Sequence, residues 1–127
     1  MKPATIKKEF LYGDLTFKVR KVLFDTHNEL GMFGREKQYG DLVERKLKEL
    51  GIAHRREAIV ADSGNTLDFI VEDKLILELK AKPFLTKEDY FQTQRYLQAT
   101  NLRLGILVNF RTKYIAPKRI LNSKSHL

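Results

Sequence analysis

The sequence predicts an α/β fold in which helices flank a mixed β-sheet, in the order α-α-β-β-β-α-β. Apolar residues recur at three- and four-residue steps up to residue 50 and change to short, alternating runs from residue 52. A nearly continuous apolar run over residues 104–110 is typical of a central strand covered on both faces. The length of 127 residues suits a single domain over residues 1–127, with flexible ends expected at 1–13 and 122–127.

Two helices are expected before residue 52. Asp14 suits the N-cap of the first helix, and Gly31 is expected to end it. The second helix is expected over residues 34–50, with Gly51 after its last turn. Its buried side is predicted to carry the apolar residues Tyr39, Leu42, Val43, Leu47 and Leu50.

Strands and one further helix account for the rest of the chain. We expect three strands, over residues 52–60, 66–71 and 75–82. Turn residues at 62–65 and a polar corner at 72–74 separate them. Thr86 and Asp89 have the spacing of a capping box and predict a helix to about Thr100. The strand at 104–110 follows, and the tail is expected to form an edge strand.

The composition excludes several kinds of protein. The chain has no cysteine, which excludes disulfides, thiolate zinc sites, iron-sulfur clusters and cysteine nucleophiles. No stretch approaches the roughly 18 apolar residues of a membrane span, and the first residues lack the apolar segment of a signal peptide. We therefore expect a cytoplasmic protein that does not enter a membrane.

Positive charge is concentrated in the last third of the chain. The net charge is +8, and no acidic residue follows Asp89. A basic field attracts polyanions, so DNA or RNA is the predicted partner, and a solubilising surface is the alternative. The residues expected to bind nucleic acid are Arg95, Arg103, Arg111, Lys113, Lys118 and Arg119.

The candidate catalytic residues are charges that interrupt two neighbouring apolar strands. Alternation places Leu67, Phe69 and Val71 on one face and Asp68 on the other. If the corner has three residues, Val71 pairs with Leu75, and Asp68 lies opposite Glu78.

Two facing carboxylates repel each other, and a divalent cation between them removes the repulsion. Oxygen ligands suit Mg²⁺ or Mn²⁺, so Asp68 and Glu78 predict a metal site. Lys80, on the same face, is placed to orient or deprotonate a water molecule. The alternative is an exposed ladder of salt bridges, which the helices on both sides of the sheet make less favourable.

These residues resemble a known family. Asp68 followed by Glu78-Leu79-Lys80 is similar to the D…(D/E)xK signature of the PD-(D/E)XK nuclease superfamily, which has a restriction-endonuclease-like core. Over residues 15–121 the chain more closely resembles the GxxExxY proteins, although Phe33 stands where their motif has glycine. The segments that carry this likeness are HNELG (27–31), EKQY (36–39), DFIVED (68–73), LELKA (77–81) and YLQAT (96–100).

The resemblance implies further roles. Glu36 matches a glutamate of the first core helix that points into the metal site, and its spacing from Tyr39 predicts a buried position. The Leu79 carbonyl would join Asp68 and Glu78 as a metal ligand. Gln92 and Tyr96 match a QxxxY element of the RecB-type branch, which would contact Lys80 and the scissile strand.

The predicted function is metal-dependent hydrolysis of phosphodiester bonds in DNA or RNA. A module that keeps the fold and binds nucleic acid without cleaving it is the main alternative. A protein-binding accessory subunit is a third possibility, and a homodimer or an accessory partner is compatible with so small a domain. The three histidines lie too far apart in sequence for a local ligand pair, and His27 is expected to make a structural hydrogen bond.

Overall fold

A computed structural model describes residues 11–60 and 65–124 of the chain. Its helices are α1 (Gly13–Leu30), α2 (Glu36–Glu49) and α3 (Lys87–Thr100). Its strands are β1 (His54–Ile59), β2 (Thr66–Val71), β3 (Leu75–Lys80), β4 (Leu104–Asn109) and β5 (Lys118–Leu121). Most of the predicted turn at residues 62–65, and parts of the predicted ends at 1–13 and 122–127, lie outside the described residues.

The strands form one mixed sheet in the order β1-β2-β3-β4-β5. Neighbouring strands are antiparallel except β3 and β4, which are parallel and are connected through α3. A parallel pair of this kind needs cover on both faces, and every residue of β4 is buried. The predicted α/β class and the sheet flanked by helices are confirmed.

Two apolar layers cover the faces of the sheet. The layer beneath α1 and α2 contains Val19, Leu23, Tyr39, Val43 and Leu47 together with Phe69, Val71, Leu75, Leu77 and Leu79. The layer beneath α3 contains Tyr96 and Leu97 together with Leu67, Ile70, Ile76, Leu107 and Ile120. The prediction that Leu67 shares a face with Phe69 was wrong, because the regular alternation of β2 breaks at Asp68, between them.

Two predictions about the helices were wrong. Asp14 is not an N-cap: α1 begins at Gly13 after Tyr12, which has a left-handed backbone, and Asp14 lies in the first turn. Leu50 is 55% exposed and does not belong to the buried side of α2. Gly51 ends that helix as predicted, with a φ of 69° that favours glycine. In the part of the chain described, no helix combines the length and apolarity needed to cross a membrane.

The start of α3 is capped as the sequence predicts. The Asp89 carboxylate accepts a hydrogen bond of 2.7 Å from the backbone N–H of Thr86, which closes the capping box. Lys82 donates to the same carboxylate at 2.9 Å, and these contacts hold the pKa of Asp89 below its usual value against the opposing effect of burial. The segment between β3 and α3 is therefore held at both ends.

Tyr39 holds the loop that precedes α2. Its ring is fully buried and stacks on Phe110, with 4.2 Å between the centroids. Its hydroxyl donates to the Gly31 carbonyl at 2.5 Å and accepts from the Gly34 N–H at 2.9 Å. A third contact joins α1 to the segment after Phe110, because a ring nitrogen of His27 lies 2.8 Å from the Thr112 carbonyl. The predicted structural hydrogen bond of His27 is confirmed.

The Tyr39 hydroxyl should contribute measurably to stability. Tyr39→Phe keeps the stacked ring but leaves the Gly34 N–H and the Gly31 carbonyl without this partner, so we expect a loss of about 1 to 3 kcal/mol in the free energy of unfolding. Urea denaturation followed by circular dichroism measures it. Tyr114→Phe is the control, because Tyr114 is 79% exposed. Equal stability of the two variants would contradict the expectation.

Candidate functional site

Asp68 and Glu78 lie where β2 and β3 separate. The predicted register is confirmed at Val71–Leu75 and Ile70–Ile76, and pairing ends at Phe69–Leu77. Beyond that point the two carboxylates replace the backbone ladder. Glu78 Oε2 accepts from the Asp68 N–H at 2.8 Å, and Asp68 Oδ2 accepts from the Leu79 N–H at 2.7 Å.

Glu57 lies on β1, the strand on the other side of Asp68 from β3. It faces the position of Asp68 across the β1–β2 ladder, between the pairs Arg56–Phe69 and Ala58–Leu67. Its φ of 53° is unusual for a strand residue with a side chain. The backbone around Asp68 is thus irregular on both sides, which explains why the alternation of β2 fails there.

Both carboxylates resist ionisation. Burial and then the charge of Asp68 raise the pKa of Glu78 to about 8, and the side chain is only 3% exposed. Burial likewise raises the pKa of Asp68, with the charge of Glu36 adding to it, while the bond from Leu79 acts in the opposite direction. An exposed ladder of salt bridges is therefore excluded for Glu78.

Lys80 contacts one member of the predicted pair on α3. Lys80 Nζ donates to Gln92 Oε1 at 3.4 Å, so the predicted contact between these residues is present. Tyr96 is buried one helical turn later. Burial, followed by the charges of Glu78 and Asp68, raises the pKa of Tyr96, which places its hydroxyl in the field of the two carboxylates.

An open cavity of about 330 Å³ lies between α2 and the separated strands. Glu36 and Lys37 of α2 line it, together with Asp68 and Leu79. The prediction that Glu36 is buried was wrong: it is exposed at the first turn of α2, at the mouth of the cavity. The first turn sits beside open space rather than against the sheet, and Glu36 still affects the pKa of both carboxylates.

Sequence reasoning missed Arg56, which also lines this cavity. Its side chain lies over the Phe69 ring, and Nη1 donates to Asp41 at 2.7 Å and to Glu44 at 3.2 Å. The sequence pattern did indicate this position, because alternation along β1 places Arg56 on the less exposed face of that strand.

Asn109 was also missed. It follows the buried run of β4 and pairs with Lys80 in the parallel ladder. Its side chain accepts from the Lys82 N–H at 3.1 Å and donates to the Lys82 carbonyl at 2.8 Å. These two bonds fix the backbone just beyond Lys80. A buried polar residue ending an apolar run is the signal that points to it.

The six basic residues predicted to bind nucleic acid do not form one surface. Arg111 and Lys113 follow the end of β4 that pairs with Lys80, whereas Arg103 precedes the opposite end of that strand. The other three are divided among separate surroundings: Arg95 pairs with Glu88, Lys118 is exposed on β5, and Arg119 contacts Thr16 and Leu11.

The residues described contain no cluster of three or more acidic or histidine side chains arranged as metal ligands. The donor set at the site is two carboxylates, Asp68 and Glu78, and Glu36 and Leu79 line the adjoining cavity. Its chemistry fits a hard divalent cation, because the ligands are all oxygens and a positive charge would offset the repulsion that raises both pKa values.

Comparison with protein families gives one match. The family described as the PD-(D/E)XK nuclease superfamily matches residues 13–120, which include every helix of the described structure and nearly all of the sheet. The mixed sheet and its helices agree with the restriction-endonuclease-like fold of that superfamily. No curated protein and no solved structure matches the chain.

The raised pKa of Glu78 predicts a pH-dependent stability in metal-free buffer. The native chain holds a proton on Glu78 that the unfolded chain releases above its ordinary pKa of 4.5, so stability falls as pH rises from about 4.5, and the loss is complete above about 8. Glu78→Gln should remove this loss. We expect the variant to match the parent near pH 5 and to exceed it at pH 9, by a few kcal/mol at most.

Denaturant unfolding at the two pH values, in the presence of a chelator, measures the difference. Glu49→Gln is the matched control, because that side chain is 65% exposed at the end of α2. Parallel pH profiles for the parent and Glu78→Gln would contradict the expectation.

Proposed function

Because the chain belongs to the PD-(D/E)XK nuclease superfamily, we propose that it hydrolyses phosphodiester bonds of DNA or RNA with the help of Mg²⁺ or Mn²⁺. The observation that carries the proposal is the pair of half-buried Asp68 and buried Glu78 beside Lys80, at the place where two strands separate and a cavity opens. The narrower likeness to the GxxExxY proteins, a cytoplasmic location and an oligomeric or accessory partner stay predictions.

The residues that would hold the cation are Asp68, Glu78 and the Leu79 carbonyl, with Glu36 reaching it directly or through water. Each carboxylate uses one oxygen on a backbone N–H, and the second oxygen of each is the available ligand. When bound, the cation would lower the pKa of a water molecule and stabilise negative charge on a phosphate oxygen. It would also offset the repulsion between Asp68 and Glu78.

Lys80 would orient or deprotonate the attacking water. Its ammonium group lies within reach of Gln92 Oε1, and this contact would fix its direction. Tyr96, buried in the field of the carboxylates, would position Gln92 and the scissile strand from the same face of α3. Asn109 would act on Lys80 through the backbone, by holding the chain just beyond it.

The basic residues would contribute unequally to nucleic-acid binding. Arg111 and Lys113 follow the strand end beside Lys80, so we propose that they contact phosphates close to the cleaved bond. Arg95, Arg103 and Lys118 would contact more distant parts of the nucleic acid, and Arg119 would contribute least. Burial, and then the neighbouring charge of Arg20, lowers the pKa of Arg119, which suits a mainly structural contact with α1.

A second function has one observation in its favour. No cluster of three acidic or histidine ligands is found among residues 11–60 and 65–124, and Asp68 and Glu78 each bond to a backbone N–H of the other strand. Such a pair can have the purely structural role of joining strands β2 and β3. The fold would then be a module that binds nucleic acid without cleaving it, and the experiments below separate the two functions.

Metal binding should stabilise the native chain. We expect millimolar Mn²⁺ or Mg²⁺ to raise the melting temperature, because a ligand that binds only the native state adds about 2.7 kcal/mol at a hundred times its dissociation constant. Glu78→Gln should remain folded and lose the increase, whereas Glu49→Gln should keep it. An unchanged melting temperature, together with no heat in a calorimetric titration, would contradict the metal site.

Lys80→Ala should separate cleavage from binding. We expect metal-dependent cleavage of single- and double-stranded DNA and RNA to fall about a hundredfold or more, the scale of a lost general base, with little change in affinity. Cleavage is measured on gels and affinity by fluorescence anisotropy without metal. Lys74→Ala is the control, because Lys74 lies in the turn before β3, at the opposite end of that strand from Lys80.

Equal cleavage by the parent and Lys80→Ala would remove Lys80 from the mechanism. If the parent binds these nucleic acids but cleaves none of them with either metal, the non-cleaving module is the correct assignment.

A further inference from the structure

The surroundings of Arg56 differ from those of an arginine on the protein surface. It extends from β1 beneath α2, and its side chain is 21% exposed. Nη1 donates to both Asp41 and Glu44, and the guanidinium carbon lies 5.7 Å from the centre of the Phe69 ring. Burial alone would lower the pKa of Arg56, but these two acidic partners raise it above its usual value. The charge is therefore permanent and its position is fixed.

Gly40 makes room for this arginine. A Cβ atom at that position would lie 2.5 Å from Arg56 Nη2, closer than side chains tolerate. Glycine inside a helix costs about 1 kcal/mol relative to alanine, and Gly40 lies within α2. The helix therefore carries an unfavourable residue at the place where the guanidinium passes.

The acidic partners use only one end of the guanidinium. Both hydrogen bonds leave from Nη1, and no acceptor among the described residues bonds to Nε or Nη2. Arg56 also lines the cavity that Asp68 and Leu79 share. Since a guanidinium presents several donors in one plane, its remaining N–H groups are available to an anion that enters this cavity.

The lining of the cavity is more acidic than basic, so a phosphate that enters it needs a well-placed cation. Three acidic residues line it, Glu36, Glu57 and Asp68, against two basic ones, Lys37 and Arg56. Lys37 is 82% exposed and bonds to Asp41, so solvent screens it. Arg56 is thus the better-placed cation among the lining residues for holding a phosphate near Asp68, and arginine binds phosphate through paired N–H groups.

We propose that Arg56 binds a backbone phosphate of the nucleic acid next to the cleaved bond and so positions the strand over Asp68. This inference rests on the proposed nuclease function. It assigns Arg56 to substrate positioning, with Asp41 and Glu44 orienting its side chain and Gly40 allowing its approach. The competing role is a structural clamp in which Arg56 only fastens α2 to the sheet.

The test compares variants in metal-free binding and in cleavage. Arg56→Gln should weaken binding of a fluorescent oligonucleotide roughly tenfold and reduce the slope of log affinity against log salt by about 0.7 to 0.9, the value for one lost phosphate contact. It should also raise KM more than it lowers kcat. Arg55→Gln is the matched control, because Arg55 directly precedes Arg56 on the strand, is 65% exposed and pairs with Asp73.

Two further variants separate positioning from clamping. Arg56→Lys should keep the salt slope and lose part of the affinity, because the charge stays and the paired donors are lost. The double change Asp41→Asn with Glu44→Gln removes the two orienting partners but keeps the cation, so binding should weaken less than in Arg56→Gln and the salt slope should not fall. Circular dichroism and melting temperature confirm that each variant is folded.

Each outcome decides between the roles. If the Asp41 and Glu44 double variant loses as much binding as Arg56→Gln, Arg56 is a clamp and the proposal is overturned. If the parent cleaves nucleic acid while Arg56→Gln keeps the parent's affinity and salt slope, the phosphate site alone is overturned. A parent that neither binds nor cleaves nucleic acid would overturn the nuclease function and this site together.

Discussion

The rest of the structure depends on keeping two carboxylates side by side, with Glu78 buried and Asp68 half-buried at the edge of the cavity. Burial opposes ionisation of both acids and raises both pKa values, and a neighbouring negative charge adds to this effect, that of Asp68 on Glu78 and that of Glu36 on Asp68. Each acid accepts a backbone N–H of the other's strand, which offsets part of this cost. The same bonds occupy positions that an ordinary ladder would use. The two strands must therefore separate here, and the separation creates the cavity.

Such a site can persist only on a rigid frame. The strand that carries Glu78 is fully buried up to that residue and pairs with the equally buried β4, so apolar packing on both faces supports it. Polar contacts then fix the ends of the elements that meet at the site. Tyr39 holds the loop before α2, Asn109 holds the chain beyond Lys80, and Asp89 caps α3. These contacts act on three different segments that meet at the site.

Local patterns predicted most of the fold, and the reasons are physical. A change of apolar period marks the strands, and a three-residue corner sets the register that brings Asp68 towards Glu78. Features decided by tertiary geometry were not predictable in this way. The exposure of Glu36 depends on the open cavity beside α2, and the position of Leu67 depends on the irregular backbone at Asp68. Arg56 carried a signal in the alternation of β1, but its partners Asp41 and Glu44 lie on the preceding helix, and only the packing of that helix on the sheet brings them to it.

The net charge of +8 does not distinguish the charges that lie at the site from those that lie far from it, and the two groups act differently. Lys80 ends β3 and Arg103 precedes the opposite end of its partner β4, about six residue steps or roughly 20 Å apart along the strand. That distance exceeds the Debye length of about 8 to 10 Å in physiological salt, so a cation at the far end cannot act on a charge at the site. It can only attract a polyanion to the molecule as a whole. Chemistry at Asp68 must depend on cations within a few ångströms, and the acidic lining of the cavity makes their placement, rather than the total charge, the deciding factor.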